Sequence, residues 1–177
     1  MSEKTKLGNF FEDFCVGQTI THATPRTLTA GDVALYTAVT GSRFAVTSAD
    51  TFAQSLGFPR APIDDLLAFN MVFGKPVPDI SLNAVANLGY ASGRFGCPLY
   101  PGDTLTADST VIGLKENSDG KTGIVYVRSC GVNQRGQIAL DYCRWVMVRK
   151  RDPASPAPET VVPDLPAAVA AGDLIVP

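Results

Sequence analysis

The stretch Ala61-Pro62-Ile63-Asp64-Asp65-Leu66-Leu67-Ala68-Phe69-Asn70-Met71-Val72-Phe73-Gly74 places apolar side chains at nearly every turn position and not on a single stripe. A helix of that pattern is buried on most sides, so something must wrap it. Pro62 near the start and the carboxylates of Asp64 and Asp65 in the first turn suit the positive end of a helix dipole, while Gly74 and Pro76 supply the stop. The sequence after it supplies the wrapping. The period changes to two, and four strands are readable, over about 83–95, 104–115, 123–133 and 137–150. Pro101-Gly102-Asp103, Asn117-Ser118-Asp119-Gly120 and Asn133-Gln134-Arg135-Gly136 are turn chemistry, so the last three strands form an antiparallel meander.

Before the central helix the chain reads as a threonine-rich strand over 18–27, interrupted or ended at Pro25. Thr29 then caps a helix that closes at Gly41, and a short helix runs from near Ser48 to Gly57. An irregular, helix-containing front followed by a strand-rich back is the order of an α+β fold. The Pro- and Ala-rich segment 153–177 divides from the folded part at 1–152 and reads as a tail or linker. The competing expectation has it dock on its own domain through Leu174, Ile175 and Val176.

At 177 residues, one ordinary core is expected. A net charge of -2 provides no electrostatic footprint for nucleic acid or an anionic membrane. Cys15, Cys97, Cys130 and Cys143 contain no CxxC pair, and His22 alone completes no zinc set, so no metal is expected and the thiols are read as reduced. Residues 1–20 have neither the pattern of a signal peptide nor that of a membrane span, and the expected location is the cytoplasm.

Gly93-Arg94-Phe95 through Leu99-Tyr100-Pro101-Gly102-Asp103-Thr104-Leu105 resembles the strand-turn-strand of MaoC-like hydratases, with Tyr36 to Gly41 and Ala61 to Ala68 upstream at the family's spacing. A narrower resemblance covers the chain from about residue 8 to the end. GNFFEDFCVGQTITHATPRT, PIDDLLAF, VFGKPVPDISLNA, YPGDTL and RWVMVRKRDP are similar to the amino-terminal half of the mesaconyl-CoA hydratases, also called β-methylmalyl-CoA dehydratases. The resemblance implies a hot-dog fold, in which a long central helix is wrapped by a curved antiparallel sheet. It also implies a second hot-dog domain or a homodimer partner, and an acyl-CoA substrate with no cofactor besides the CoA that the substrate carries.

Hydrating an enoyl thioester takes a base for water, an acid for the neighbouring carbon, and donors that hold the oxygen as enolate charge develops. In the MaoC-like pattern an Asp and a His in Gly-Asp-x-Asn-Pro-x-His move the protons, and an Ala-His-Gly at the start of the central helix offers backbone N–H. Here the corresponding run is Gly41-Ser42-Arg43-Phe44-Ala45-Val46-Thr47, with Ser42 at the Asp position and Thr47 at the His position. Neither hydroxyl titrates near neutrality, so the dyad is absent. Ile63, Asp64 and Asp65 stand at the oxyanion position, where two carboxylates occupy the helix-end N–H groups and repel an enolate.

The degenerate positions Ser42, Thr47, Asp64 and Asp65 are thus the catalytic candidates, and none carries the chemistry alone. Arg43, Asp65 and Arg94 are candidate substrate contacts, with Arg43 pairing an aspartate or Arg94 reaching a CoA phosphate. Arg149, Lys150 and Arg151 form a basic run that either serves the nucleotide end of CoA or protects an edge strand. His22 reads as structural or surface, and Trp145 to Val148 with Phe69 and Phe73 as core. Three functions follow: a hydro-lyase half that shapes the acyl-CoA pocket, a non-enzymatic CoA-ester-binding or assembly domain, and an acyl-CoA thioesterase using Asp64 or Asp65.

Overall fold

The computed structural model describes residues 8–166. Five antiparallel strands form one sheet in the order β1-β3-β4-β5-β2: β1 (Thr19–Thr27), β2 (Ala84–Phe95), β3 (Thr104–Glu116), β4 (Thr122–Val132) and β5 (Ile138–Arg149). The β3-β4-β5 meander is as expected from its turns. β1 pairs with β3 from Thr19 opposite Thr110 to Thr27 opposite Thr104, and the register slips between His22 and Arg26, around the donor-less Pro25. Three further slips between β2 and β5 leave extra residues on β2, and such bulges bend and twist a ribbon. The sheet thereby curves around the central helix, the arrangement expected of a hot-dog.

The first helix, α1 (Ala30–Thr40), begins at a reciprocal cap. Thr29 Oγ1 accepts from the Asp32 amide at 3.1 Å, and Asp32 Oδ2 accepts from the Thr29 amide at 2.9 Å. It ends at Gly41 with φ 65°, the left-handed region where a β-carbon is disfavoured. The single helix expected after it is two short pieces, α2 (Ala45–Ser48) and α3 (Asp50–Ser55), because Ala49 is extended between them.

The central helix, α4 (Asp65–Phe73), is shorter and more open than expected. Ile63 instead donates its amide to Leu99 O at 2.8 Å, and extended Asp64 caps the helix by accepting from the Leu66 amide at 2.8 Å. Only Leu67, Ala68 and Val72 are buried, while Leu66 is 58% exposed. The sheet covers one side of α4, and among the described residues no other element packs closely on the side that carries Leu66. Gly131 lies beneath Val72, where an added β-carbon would sit 2.6 Å from the valine side chain, so helix and sheet meet at backbone distance.

The core is in two clusters. One gathers Leu67, Ala68, Val72, Leu99, Leu105 and Tyr142 around α4. The other gathers Phe11, Phe14, Val111, Val125, Val146 and Val148 at the far end of the sheet. β3 passes between them at Ser109, β4 at Ser129 and β5 at Arg144, all buried, so a polar seam crosses the sheet. Val146 and Val148 are core as expected, Phe69 and Phe73 pack half-buried against the first cluster, and Trp145 lies half-buried on the outer face against Tyr126.

One expectation about the carboxyl-terminal part needs correction. β5 is an internal strand, so its basic end guards no edge. Lys150 is buried and donates to Glu116 at 2.6 Å and to the carbonyls of Pro153 and Ser155, while Arg151 pairs with Asp13 at 2.6 Å. Only Arg149 of that run is exposed without such partners. Beyond the domain, Val161 exchanges both backbone hydrogen bonds with Leu114 at 2.8 Å, on the side of β3 that β1 leaves unpaired. Gly113 makes this possible, since a β-carbon there would lie 2.5 Å from the Val161 carbonyl. Leu174, Ile175 and Val176 lie outside the described residues.

Candidate functional site

The degenerate run folds against the amino-terminal end of α4, as its spacing requires. Gly41 turns the chain, and Ser42 donates its hydroxyl to Asp64 Oδ2 at 2.6 Å. The other Asp64 oxygen holds the Leu66 amide, so this carboxylate is committed twice, to the cap and to the serine. Burial and the Asp64 charge push the neighbouring Tyr36 hydroxyl up. Burial, and then the Asp64 charge, push Asp65 up as well. Like charges side by side raise each other's cost of ionisation, which is poor preparation for an enolate arriving at the same helix end.

Thr47 points away from this pair. Its hydroxyl donates to Phe44 O at 3.2 Å, and it lines a cavity of about 320 Å³ with Val33, Asp50, Ile63 and Pro101. Arg43 is exposed, and among the described residues no ion pair joins it to Asp64 or Asp65. Ser42 and Asp64 are therefore brought together; Thr47 lies beside them in the same run, and Arg43 stays apart. Arg94 is remote from all four. It lies exposed on β2, lining a second cavity of about 270 Å³ with Arg128, Asp141 and Cys143, and there Arg128 is already paired with Asp141. What the helix end does with this pair is position it: the Ser42 hydroxyl proton is held on Asp64, whose other oxygen is held by the helix cap.

His22 is structural. It is buried, with Nδ1 2.7 Å from Asp79 Oδ2 and Nε2 2.8 Å from Ser109 Oγ, and Ser109 in turn lies 2.7 Å from Ser129 Oγ. This is a Ser-His-Asp order of groups, but both serines are at most 1% exposed, so no substrate carbonyl reaches them.

Sequence reasoning missed Arg144. It is 0% exposed, its Nη2 donates to Ser81 Oγ at 3.3 Å, and its Nε and Nη1 have no protein partner among the described residues. Burial pulls it below its ordinary range. The signal was present in the period-two register of Leu140, Tyr142, Arg144, Val146 and Val148, which puts a guanidinium on the inward face of an internal strand.

A family model described as mesaconyl-CoA hydratase matches residues 1–164. The chain is 71% identical over 177 residues to the β-methylmalyl-CoA dehydratase of Chloroflexus aurantiacus, covering all of this chain and 50% of that protein. It is 60% identical over 174 residues to the mesaconyl-CoA hydratase of Cereibacter sphaeroides, covering 98% of this chain and 51% of that protein. Among solved structures, a MaoC domain protein dehydratase from C. aurantiacus matches with a TM-score of 0.91 at 70% identity, over 99% of this chain and 50% of that one. A Mycobacterium tuberculosis protein described as a double hot-dog matches with a TM-score of 0.78 at 26% identity, over 96% of this chain and 52% of that one. The chain thus spans about half the length of the curated relatives it matches. With a sheet curved around α4, a Pro-Gly-Asp-Thr-Leu turn and a motif that keeps its glycine, the chain belongs to the mesaconyl-CoA hydratase family.

Proposed function

We propose that this chain is the pocket-shaping half of a hydro-lyase that interconverts mesaconyl-CoA and β-methylmalyl-CoA. The observation that carries the reading is the closed Ser42–Asp64 pair at the helix end where the MaoC-like pattern has its proton-moving groups. With hydroxyls at Ser42 and Thr47 in place of the resembled Asp and His, the Asp and His that activate water and protonate the neighbouring carbon come from a second hot-dog domain. Residues 1–152 form the packed half, and the segment from 153 leads toward that second domain. The reaction needs no cofactor beyond the CoA of the substrate, and Arg94 or Arg43 serves the CoA end.

The second domain has a natural seat on β2. This strand is one of the two edges of the sheet and exposes Val85, Leu88, Tyr90 and Phe95, at 50%, 40%, 48% and 45%. Such an edge invites continuation of the sheet by another chain. Among the described residues no helix is long and apolar enough to cross a membrane.

The test follows enoyl absorbance and free thiol together, with mesaconyl-CoA, for the 177-residue chain and for the complete gene product. The expected result is loss of the enoyl signal without thiol release in the complete protein and silence in the chain alone. Thiol release would favour a thioesterase, and binding without turnover in the complete protein would favour a CoA-ester-binding domain. Hydration by the chain alone would overturn the division of labour.

A further inference from the structure

We propose that Arg144 and Tyr142 form the receptor for the free carboxylate of a dicarboxylic acyl-CoA, entered past Tyr90 at the β2 edge; the assignment rests on the hydro-lyase reading above.

Arg144 has no carboxylate within ion-pair distance among the described residues, although it is fully buried. Guanidinium groups remain charged in proteins, and burying one without an anion is among the costlier things a fold can do. The Tyr142 hydroxyl, also buried, belongs to the residue two positions earlier on the same face of β5, and the Arg144 charge acts on it. The guanidinium supplies donors only and the phenol adds a hydroxyl that can donate beside it, an arrangement that complements a carboxylate.

The surrounding groups define what carries that carboxylate. Arg144 stacks 4.8 Å above the Phe73 ring, and Phe73, Phe69, Tyr90 and Tyr142 contact one another with ring centroids 5.4 to 6.4 Å apart. Of these rings Tyr90 is the one that is 48% exposed, and it is paired in register with Arg144 itself. Flat apolar walls leading to a buried cation suit a short, planar, conjugated chain with an anionic end. An aspartate or glutamate of a neighbouring domain fits less well, because the cation lies beneath the surface of this chain and such a side chain must bring its own backbone along. The site lies toward the carboxyl end of α4, where Phe73 sits under the guanidinium, away from Ser42 and Asp64.

The test uses the complete gene product and two esters: mesaconyl-CoA and (E)-2-methylbut-2-enoyl-CoA, in which a methyl replaces the free carboxylate. Affinity for each is measured by calorimetry, beside turnover. Arg144→Met should weaken mesaconyl-CoA on the order of a hundredfold and leave the neutral ester within about twofold, erasing the preference between them. Tyr142→Phe, which removes one hydroxyl, should weaken mesaconyl-CoA several-fold with the same selectivity and carries the comparison if the arginine variant does not fold. Equal losses for both esters, or no loss for either, overturn the assignment while leaving the hydro-lyase reading intact. A lower melting temperature with the preference retained assigns the counter-ion to a carboxylate of the second domain and likewise overturns it. If the unaltered protein binds neither ester, the hydro-lyase reading fails first and takes the assignment with it.

Discussion

The two ends of α4 treat polar groups in opposite ways. At the amino end three groups are matched locally: Ser42 to Asp64, Asp64 to the Leu66 amide, Thr47 to Phe44. At the carboxyl end Arg144 and Tyr142 are buried deeper and matched less, while the seam that leads to them runs through His22, Ser109 and Ser129 in hydrogen-bond contact. Buried polar atoms left unpaired cost about 1–3 kcal/mol each, and a pair closed on itself avoids that cost. Polar atoms that stay buried and unmatched call for another explanation, and the ligand proposed above would supply it.

The largest effect is expected in the seam. His22→Ala removes a buried ring and takes a partner from both Asp79 and Ser109, and should cost about 3 kcal/mol, measured by urea denaturation. If the loss is below about 0.5 kcal/mol, the seam is not structural and the contrast between the two ends weakens. Next comes Asp64→Ala, which removes a helix cap and should cost about 1 kcal/mol. Turnover of the complete enzyme should stay within about twofold, since a cap contributes stability and not chemistry; a large loss of kcat would restore a catalytic role to the closed end.

The smallest effect concerns Asp32 at the start of α1. The Thr29 side chain and backbone hold its carboxyl below the ordinary range, with Arg26 adding to this. A carboxylate with a lowered folded pKa contributes stability above its unfolded pKa and loses it as pH falls through the folded value. Asp32→Asn should therefore destabilise by less than about 1 kcal/mol at pH 7, and the difference from the unaltered protein should vanish in acid. Denaturation midpoints at both pH values check it; a difference that survives in acid would point to packing.

What was legible in the sequence is what is decided within a few residues. The Thr29 and Gly41 ends of α1, the turns at Gly120 and Gly136, and the α+β order all follow from local rules, and the strand boundaries fall within a residue or two of expectation. That Ser42 and Thr47 stand where the resembled pattern has Asp and His is likewise read without coordinates. The seam was not. His22 meets Asp79 and Ser109 across 57 and 87 positions, and Arg144 meets Ser81 across 63. The basic run at 149–151 was misread for the same reason, since the partners of Lys150 and Arg151 include Glu116 and Asp13. The extent of α4 was overestimated because composition cannot tell a face covered by this chain from one covered by another.

The short bridge at Val161 sets the geometry of any covalent tether to a neighbouring domain. It anchors the outgoing chain beside β3 in the position β1 vacates, at the opposite margin of the sheet from β2. Four inter-strand steps of about 4.8 Å separate those margins, so a tether leaving there spends at least about six extended residues crossing before it reaches the β2 edge. Longer tethers dilute the local concentration of the domain they carry only slowly, roughly as the -3/2 power of their length. Anchoring at Val161 therefore fixes a minimum leash, and residues added beyond it should weaken docking gently, whereas shortening below that span should abolish it.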